Sequence, residues 1–153
     1  MTAAVIDRTR LRDLYDDYAW LLDEGAYDQW LDLFVDDCDY RIVARENFER
    51  GLPLATVRCE SRAMLFDRIE AIRNTQFFAP RLIRRFIGPA RVIGDEVVAS
   101  FLVVETVDQE PTSVHMAGQY RDMVVDQGDR LQFTRKLAIY DSPLVPTSLI
   151  HPV

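Results

Sequence analysis

Histidine, cysteine and clustered carboxylates are the side chains best suited to hold a metal or move a proton, and this chain is poor in the first two. Its 153 residues include two histidines, His115 and His151, and two cysteines, Cys38 and Cys59. A zinc or iron–sulfur site built from these would consume all four, drawn from four places with no C-x-x-C or C-x-H spacing. A two-histidine, one-carboxylate iron centre would need His115, in a strand-like stretch, to meet His151 in a proline-rich one. Nothing local brings them together. The simpler expectation sets His115 at a strand edge or interface and leaves His151 in the tail. Asp32, Asp36, Asp37 and Asp39 lack the Gly and distal Glu of a calcium-binding loop, so a solvated acidic loop is expected there. Neither G-x-S-x-G nor G-x-x-x-x-G-K-[S/T] occurs. One metal-free chemistry stays open: inside an apolar pocket, Tyr15 or Tyr18 donates a proton and Asp37, Asp39 or His115 accepts it. The competing expectation packs Tyr15, Tyr18, Trp20, Trp30 and Phe34 as helix core and leaves the aspartates in water. Arg81, Arg84, Arg85 and Arg91 form a basic stretch whose expected partners, in an acidic chain, are carboxylates of this chain or another.

The elements that must position these groups change period along the chain. Leu11, Leu14, Tyr15, Tyr18, Ala19 and Leu22 recur at helical spacing, so a helix is predicted from a cap at Asp7 or Thr9 to about Glu24, stopped by Gly25. A shorter amphipathic segment carries Trp30, Leu31, Leu33 and Phe34. Strands are predicted at Tyr40–Ala44 and Leu54–Arg58, separated by turn chemistry from Glu46 to Pro53. Ser61 offers the cap of a third helix ending near Asn74. Strand patterns then take over: Arg84 to Ile93, interrupted at Gly88-Pro89; Glu96 to Val107; Val114 to Val125; and Leu131 to Ile139. Gly94-Asp95 and Gln127-Gly128-Asp129 supply turns. Pro143, Pro146 and Pro152 exclude a helix interior from the last stretch.

The stretch Glu96–Val107 organises the rest. Val97, Ala99, Phe101, Val103 and Val107 share one face; Val98, Leu102 and Val104 share the other with Ser100. Both faces are mostly apolar, and both need cover. Helices first and hairpin-linked strands afterwards predict an α+β domain in which a curved, mostly antiparallel sheet wraps the N-terminal helices as a cone. The outer sheet face is then left for a partner. At this length one domain spanning 1–153 is expected. A formal charge of −7 argues against nucleic-acid or anionic-membrane partners. With no apolar run of bilayer length, no signal-peptide pattern and unpaired cysteines, the cytoplasm is the expected location.

Several blocks in order resemble the small (beta) subunit of the aromatic-ring-hydroxylating dioxygenases. They are Cys38-x-Tyr40-Arg41; Asn47 with Gly51-Leu52-Pro53; and Cys59-Glu60-Ser61-x-x-Met64-Leu65-x-Asp67-Arg68-Ile69-x-Ala71-x-Arg73. Arg84-Arg85-Phe86-Ile87, Gly118-x-Tyr120-x-Asp122 and Arg135-x-x-x-x-Tyr140-Asp141-Ser142 continue the series. The resemblance implies a nuclear transport factor 2-like, cystatin-like cone that assembles with a catalytic alpha subunit, commonly as an α3β3 hexamer. It implies that the Rieske 2Fe-2S cluster and mononuclear iron belong to the alpha subunit, which reductase and ferredoxin components supply with electrons. It transfers no catalytic, cofactor-binding or metal residue to this chain. Tyr40, Arg41, Asn47, Cys59, Met64, Asp67, Arg68, Arg84, Arg85 and Asp141, with Phe101 of the long strand, become structural or subunit-interface candidates. The tail from Tyr140 and the first helices look closer to the branch acting on aromatic carboxylates. The alternative is a stand-alone isomerase or dehydratase of the same fold, using the Tyr/Asp/His pair above.

Overall fold

The computed structural model describes residues 5–74, 79–144 and 149–153. Asp7 caps the first helix, α1 (Arg8–Asp23), its carboxylate accepting from the amides of Thr9 at 2.8 Å and Arg10 at 3.1 Å. Leu11, Leu14, Tyr15, Tyr18 and Leu22 bury one face, and Gly25, with φ near 69°, takes the left-handed turn that ends it. Trp20 departs from expectation: it is 65% exposed rather than core. Two positions from both Tyr18 and Leu22, it falls on the far side of the helix.

Helix α2 (Tyr27–Leu31) buries Trp30 and Leu31, whereas Phe34 opens strand β1 (Phe34–Ala44). That strand therefore takes in Asp36, Asp37 and Asp39, which sequence chemistry assigns to a loop. The pairing of β1 slips between Phe34 and Asp39, so the carboxylates escape burial along an irregular edge. Arg62 then lies 3.0 Å from Asp36 and Arg41 lies 2.9 Å from Asp39. The expected turn region holds a short helix, α3 (Arg45–Glu49), and the expected strand at 54–58 shrinks to β2 (Val57–Cys59). Helix α4 (Arg62–Asn74) starts where Ser61 Oγ accepts from the Met64 amide at 3.2 Å. Strands β3 (Arg81–Ile87), β4 (Arg91–Ile93), β5 (Glu96–Val107), β6 (Ser113–Asp126) and β7 (Leu131–Tyr140) follow.

The sheet runs β2-β1-β7-β6-β5-β3, with β4 also on β5, and every pairing is antiparallel except β1 with β7. That parallel pair sets the last strand beside the first and curls the sheet over α1, α2 and α4. Val97, Ala99, Phe101 and Val103 of β5 bury against the helices, while Ser100 and Leu102 face outward and are exposed. Phe101 stacks on Tyr120 with ring centroids 4.4 Å apart. Gly118 stands opposite Phe101, and a Cβ there would lie 1.8 Å from the Ile139 carbonyl oxygen, so no other residue fits. At the free edge, Asp23 of α1 accepts from the Arg85 amide at 3.1 Å and so occupies a donor that an unpaired strand would otherwise present.

Candidate functional site: a filled cone and an open sheet face

The interior of the cone is built from β6 and β7 residues that share a face by strand alternation. Asp122 and Lys136 are fully buried and 2.7 Å apart. Tyr15 donates to the same Asp122 oxygen at 2.5 Å, and the Leu137 amide donates to the other at 3.0 Å. Lys136 Nζ lies 3.1 Å from the centre of the Tyr120 ring and 4.5 Å from that of Tyr18, so aromatic faces supply the rest of its surroundings. Burial pushes Asp122 up, with Lys136 opposing, and pushes Lys136 down to about 8, with Asp122 opposing. Both shifts point toward the neutral forms, which means desolvation outweighs the mutual attraction of the pair. Burial, followed by the Asp122 charge, also drives the Tyr15 hydroxyl well above its ordinary range.

The proton-transfer pairing that the sequence left open does not form. Tyr15 meets Asp122, not Asp37, Asp39 or His115. Tyr18 Oη donates to the Val153 main-chain oxygen at 2.5 Å. Asp37 is exposed and Asp39 pairs with Arg41. His115 sits at a bulge in β6, its side chain buried and 3.4 Å from Glu105. Burial lowers its pKa, against the attraction of Glu105. His151 is not a loose tail residue: its Nδ1 is 3.2 Å from Tyr27 Oη. It also lies near enough to Arg85, Arg81 and His115 for their charges, added to burial, to hold it down to about 4. The two histidines thus share a neighbourhood with Glu105. Even so, among the described residues no group of three or more His, Cys, Asp or Glu could hold a metal ion. Cys38 and Cys59 are buried free thiols, and burial raises Cys38 to about 11. These donors do not fit a Rieske cluster or a mononuclear iron.

The remaining candidates divide between core and surface. Tyr40, Cys59 and Phe101 are core, and Arg85 is buried, its guanidinium 2.7 Å from Asp23 and also donating to the Pro152 carbonyl. Arg84, one residue away, is exposed on the opposite face of β3. Arg68 donates to the carbonyls of Leu149 and Ile150 at 3.4 Å each. Met64 and Asp67 are exposed on α4, Arg41 and Asn47 are half-buried, and Asp141 pairs with Arg45. Sequence reasoning passed over Asp122 and Lys136 as a pair. The signal was the spacing Tyr120-x-Asp122, which on a strand puts the carboxylate on the same inward face as a core tyrosine.

The outer face of the sheet is only partly covered. Phe48 of α3 lies over the Arg121 guanidinium at 5.7 Å, and Glu96 bridges Arg121 at 3.0 Å and Arg135 at 2.7 Å. Beyond that cover, Leu82, Phe86 and Val114 are each more than half exposed, and Leu102 lies between them. Among the described residues, no helix is long and apolar enough to cross a membrane.

Helices enclosed by a curved, unclosed sheet of this order define an α+β cone of the nuclear transport factor 2-like, cystatin-like kind. An NTF2-like protein with a cystatin-like fold from Novosphingobium aromaticivorans shares it, with a TM-score of 0.62 over 90% of this chain and 84% of that one at 19% identity. Residues 18–147 match the ring hydroxylating beta subunit family, and the chain belongs to it. It is 30% identical to the small subunit of anthranilate 1,2-dioxygenase from Burkholderia cepacia, over 92% of this chain and 90% of that protein. The beta 1 subunit of the terminal oxygenase component of terephthalate 1,2-dioxygenase from Comamonas is also 30% identical, over 89% of this chain and 92% of that one. A solved structure from Novosphingobium aromaticivorans, assigned as the beta subunit of an aromatic-ring-hydroxylating dioxygenase, is 34% identical. It superposes with a TM-score of 0.84 over 95% of this chain and 96% of that one.

Proposed function

We propose that this chain, as one domain, is the structural small subunit of an aromatic-ring-hydroxylating dioxygenase, holding a catalytic alpha subunit in place rather than carrying chemistry itself. The observation that carries this reading is the family match across residues 18–147. The geometry agrees with it: the interior is packed with the chain's own rings and a paired Asp122–Lys136, while surplus apolar surface faces outward on β3, β5 and β6. In this reading the Rieske cluster and the mononuclear iron reside on the alpha subunit, which takes electrons from reductase or ferredoxin components. The assembly is α3β3 and cytoplasmic. The relatives' substrates, anthranilate and terephthalate, favour a carboxylated aromatic ring as the one that is cis-dihydroxylated.

Co-expression with the alpha subunit of such a dioxygenase tests the proposal. The expected result is a stable complex of both chains, with iron and labile sulfide accompanying the large one. Replacing Phe86 and Leu102 with Asp should abolish co-purification while leaving the isolated small chain folded by far-ultraviolet circular dichroism. Failure of the unaltered pair to associate at micromolar concentration overturns it.

A further inference from the structure

We propose that the space held by residues 149–153 is a latent binding site for a small apolar carboxylate, closed in this structure by the chain's own segment. The Val153 side chain is buried within the core cluster that α1, α2 and the sheet enclose. Its main-chain oxygen accepts from Tyr18 Oη at 2.5 Å and Tyr40 Oη at 3.4 Å, and its amide donates back to Tyr40 Oη at 3.2 Å. Arg85 donates to the carbonyl of Pro152, and Arg68 to those of Leu149 and Ile150. One short peptide therefore presents an apolar branched side chain and a row of oxygens to two phenols and two guanidinium groups. A branched or aromatic acid presents the same combination in a smaller body.

Arg68 is also a stronger donor than the acceptors it meets. Arg85 is neutralised by Asp23, but among the described residues Arg68 forms no ion pair and is answered only by neutral carbonyls. Beside them, Tyr120 Oη and the Nε atoms of Arg68 and Arg85 are buried without a hydrogen-bond partner among the described residues. Tyr120 is close enough to Tyr40 and Arg85 for their charges to act on it. At Arg68 a carboxylate would replace the neutral carbonyls of Leu149 and Ile150 with an anionic acceptor, and charge-assisted bonds of that kind are roughly twice as strong as neutral ones. The segment and the acid thus compete for one set of donors, and weakening the segment exposes the site.

Isovalerate, with benzoate as a second probe and isovaleramide as the uncharged control, reads this directly by calorimetry and ligand-observed NMR on the full chain. Val153→Gly removes the apolar anchor and should tighten isovalerate binding by at least about tenfold over the unaltered chain. Isovaleramide should bind more weakly than isovalerate, and adding Arg68→Gln should remove the gain. A folded Val153→Gly protein that binds isovalerate no better than the unaltered chain overturns the proposal, as does a gain insensitive to Arg68→Gln. Should Val153→Gly fail to fold, hydrogen exchange of the unaltered chain decides. Saturating isovalerate should speed exchange across 149–153, and unchanged protection there refutes a displaceable segment.

Discussion

Single side chains in this molecule are governed by what burial does to charge. Lys136 balances a carboxylate that has no route to water, so Lys136→Met should cost about 3–5 kcal/mol in urea unfolding by stranding Asp122. Pairing it with Asp122→Leu should recover most of that loss, because two apolar groups need no counter-charge. No recovery in the double variant would show that Tyr15 and Leu137, rather than the ion pair, set the cost. His151 titrates near 4 in the folded chain against an ordinary 6.5, since burial and Arg85, Arg81 and His115 all disfavour its cation. The unfolded chain therefore binds a proton that the folded chain refuses. This contribution to stability is whole above pH 6.5 and is lost as pH falls toward 4. His151→Gln should flatten the slope over that window in unfolding titrations, and an unchanged slope would assign it to other groups. Gly118→Ala should be among the costliest small substitutions, above about 4 kcal/mol, because the clashing atom is backbone oxygen and cannot step aside.

At the scale of elements, β3 shows how one strand serves two faces. Arg85 turns inward, joins β3 to α1 through Asp23 and reaches Pro152, whereas Arg84 points to solvent. The two adjacent arginines should therefore separate by experiment. Arg85→Ala is expected to lower stability by about 3 kcal/mol, since it leaves Asp23 without its partner at a largely buried junction. Arg84→Ala should stay within about 0.5 kcal/mol in the isolated chain and act, if anywhere, on the yield of the complex. Thermal unfolding of both variants checks the first statement and co-purification with the large subunit the second. Equal stability losses would mean that exposure is a poor guide to the roles on this strand.

The whole molecule has its helices, aromatic rings and buried ion pair on the inside and its uncovered apolar sheet area on the outside. That distribution suits a part that is held by others. Charge substitutions on the outer face, such as Phe86→Asp with Leu102→Asp, belong to this scale because they leave the core untouched. They should change the isolated chain's stability by less than about 1 kcal/mol while preventing assembly. Loss of folding instead would show that this face is part of the small chain's own core.

Local pattern specified most of the elements though not α3, a first helix starting at Asp7 or Thr9, the Ser61 helix start and the alternation of Glu96–Val107, and the ordered blocks specified the family, because these rest on neighbours within a few residues or on short motifs. It also carried a warning in Tyr120-x-Asp122, a carboxylate on a core face. Long-range packing settled that β1 pairs in parallel with β7, that Asp36, Asp37 and Asp39 ride on a strand, and that Trp20 faces water. It alone set Lys136 against Asp122 and drew Val153 into the core beside Tyr18. Each of those outcomes turns on partners far apart in the chain. Local periodicity constrains which face a side chain takes, and it carries no information about which distant group will be waiting there.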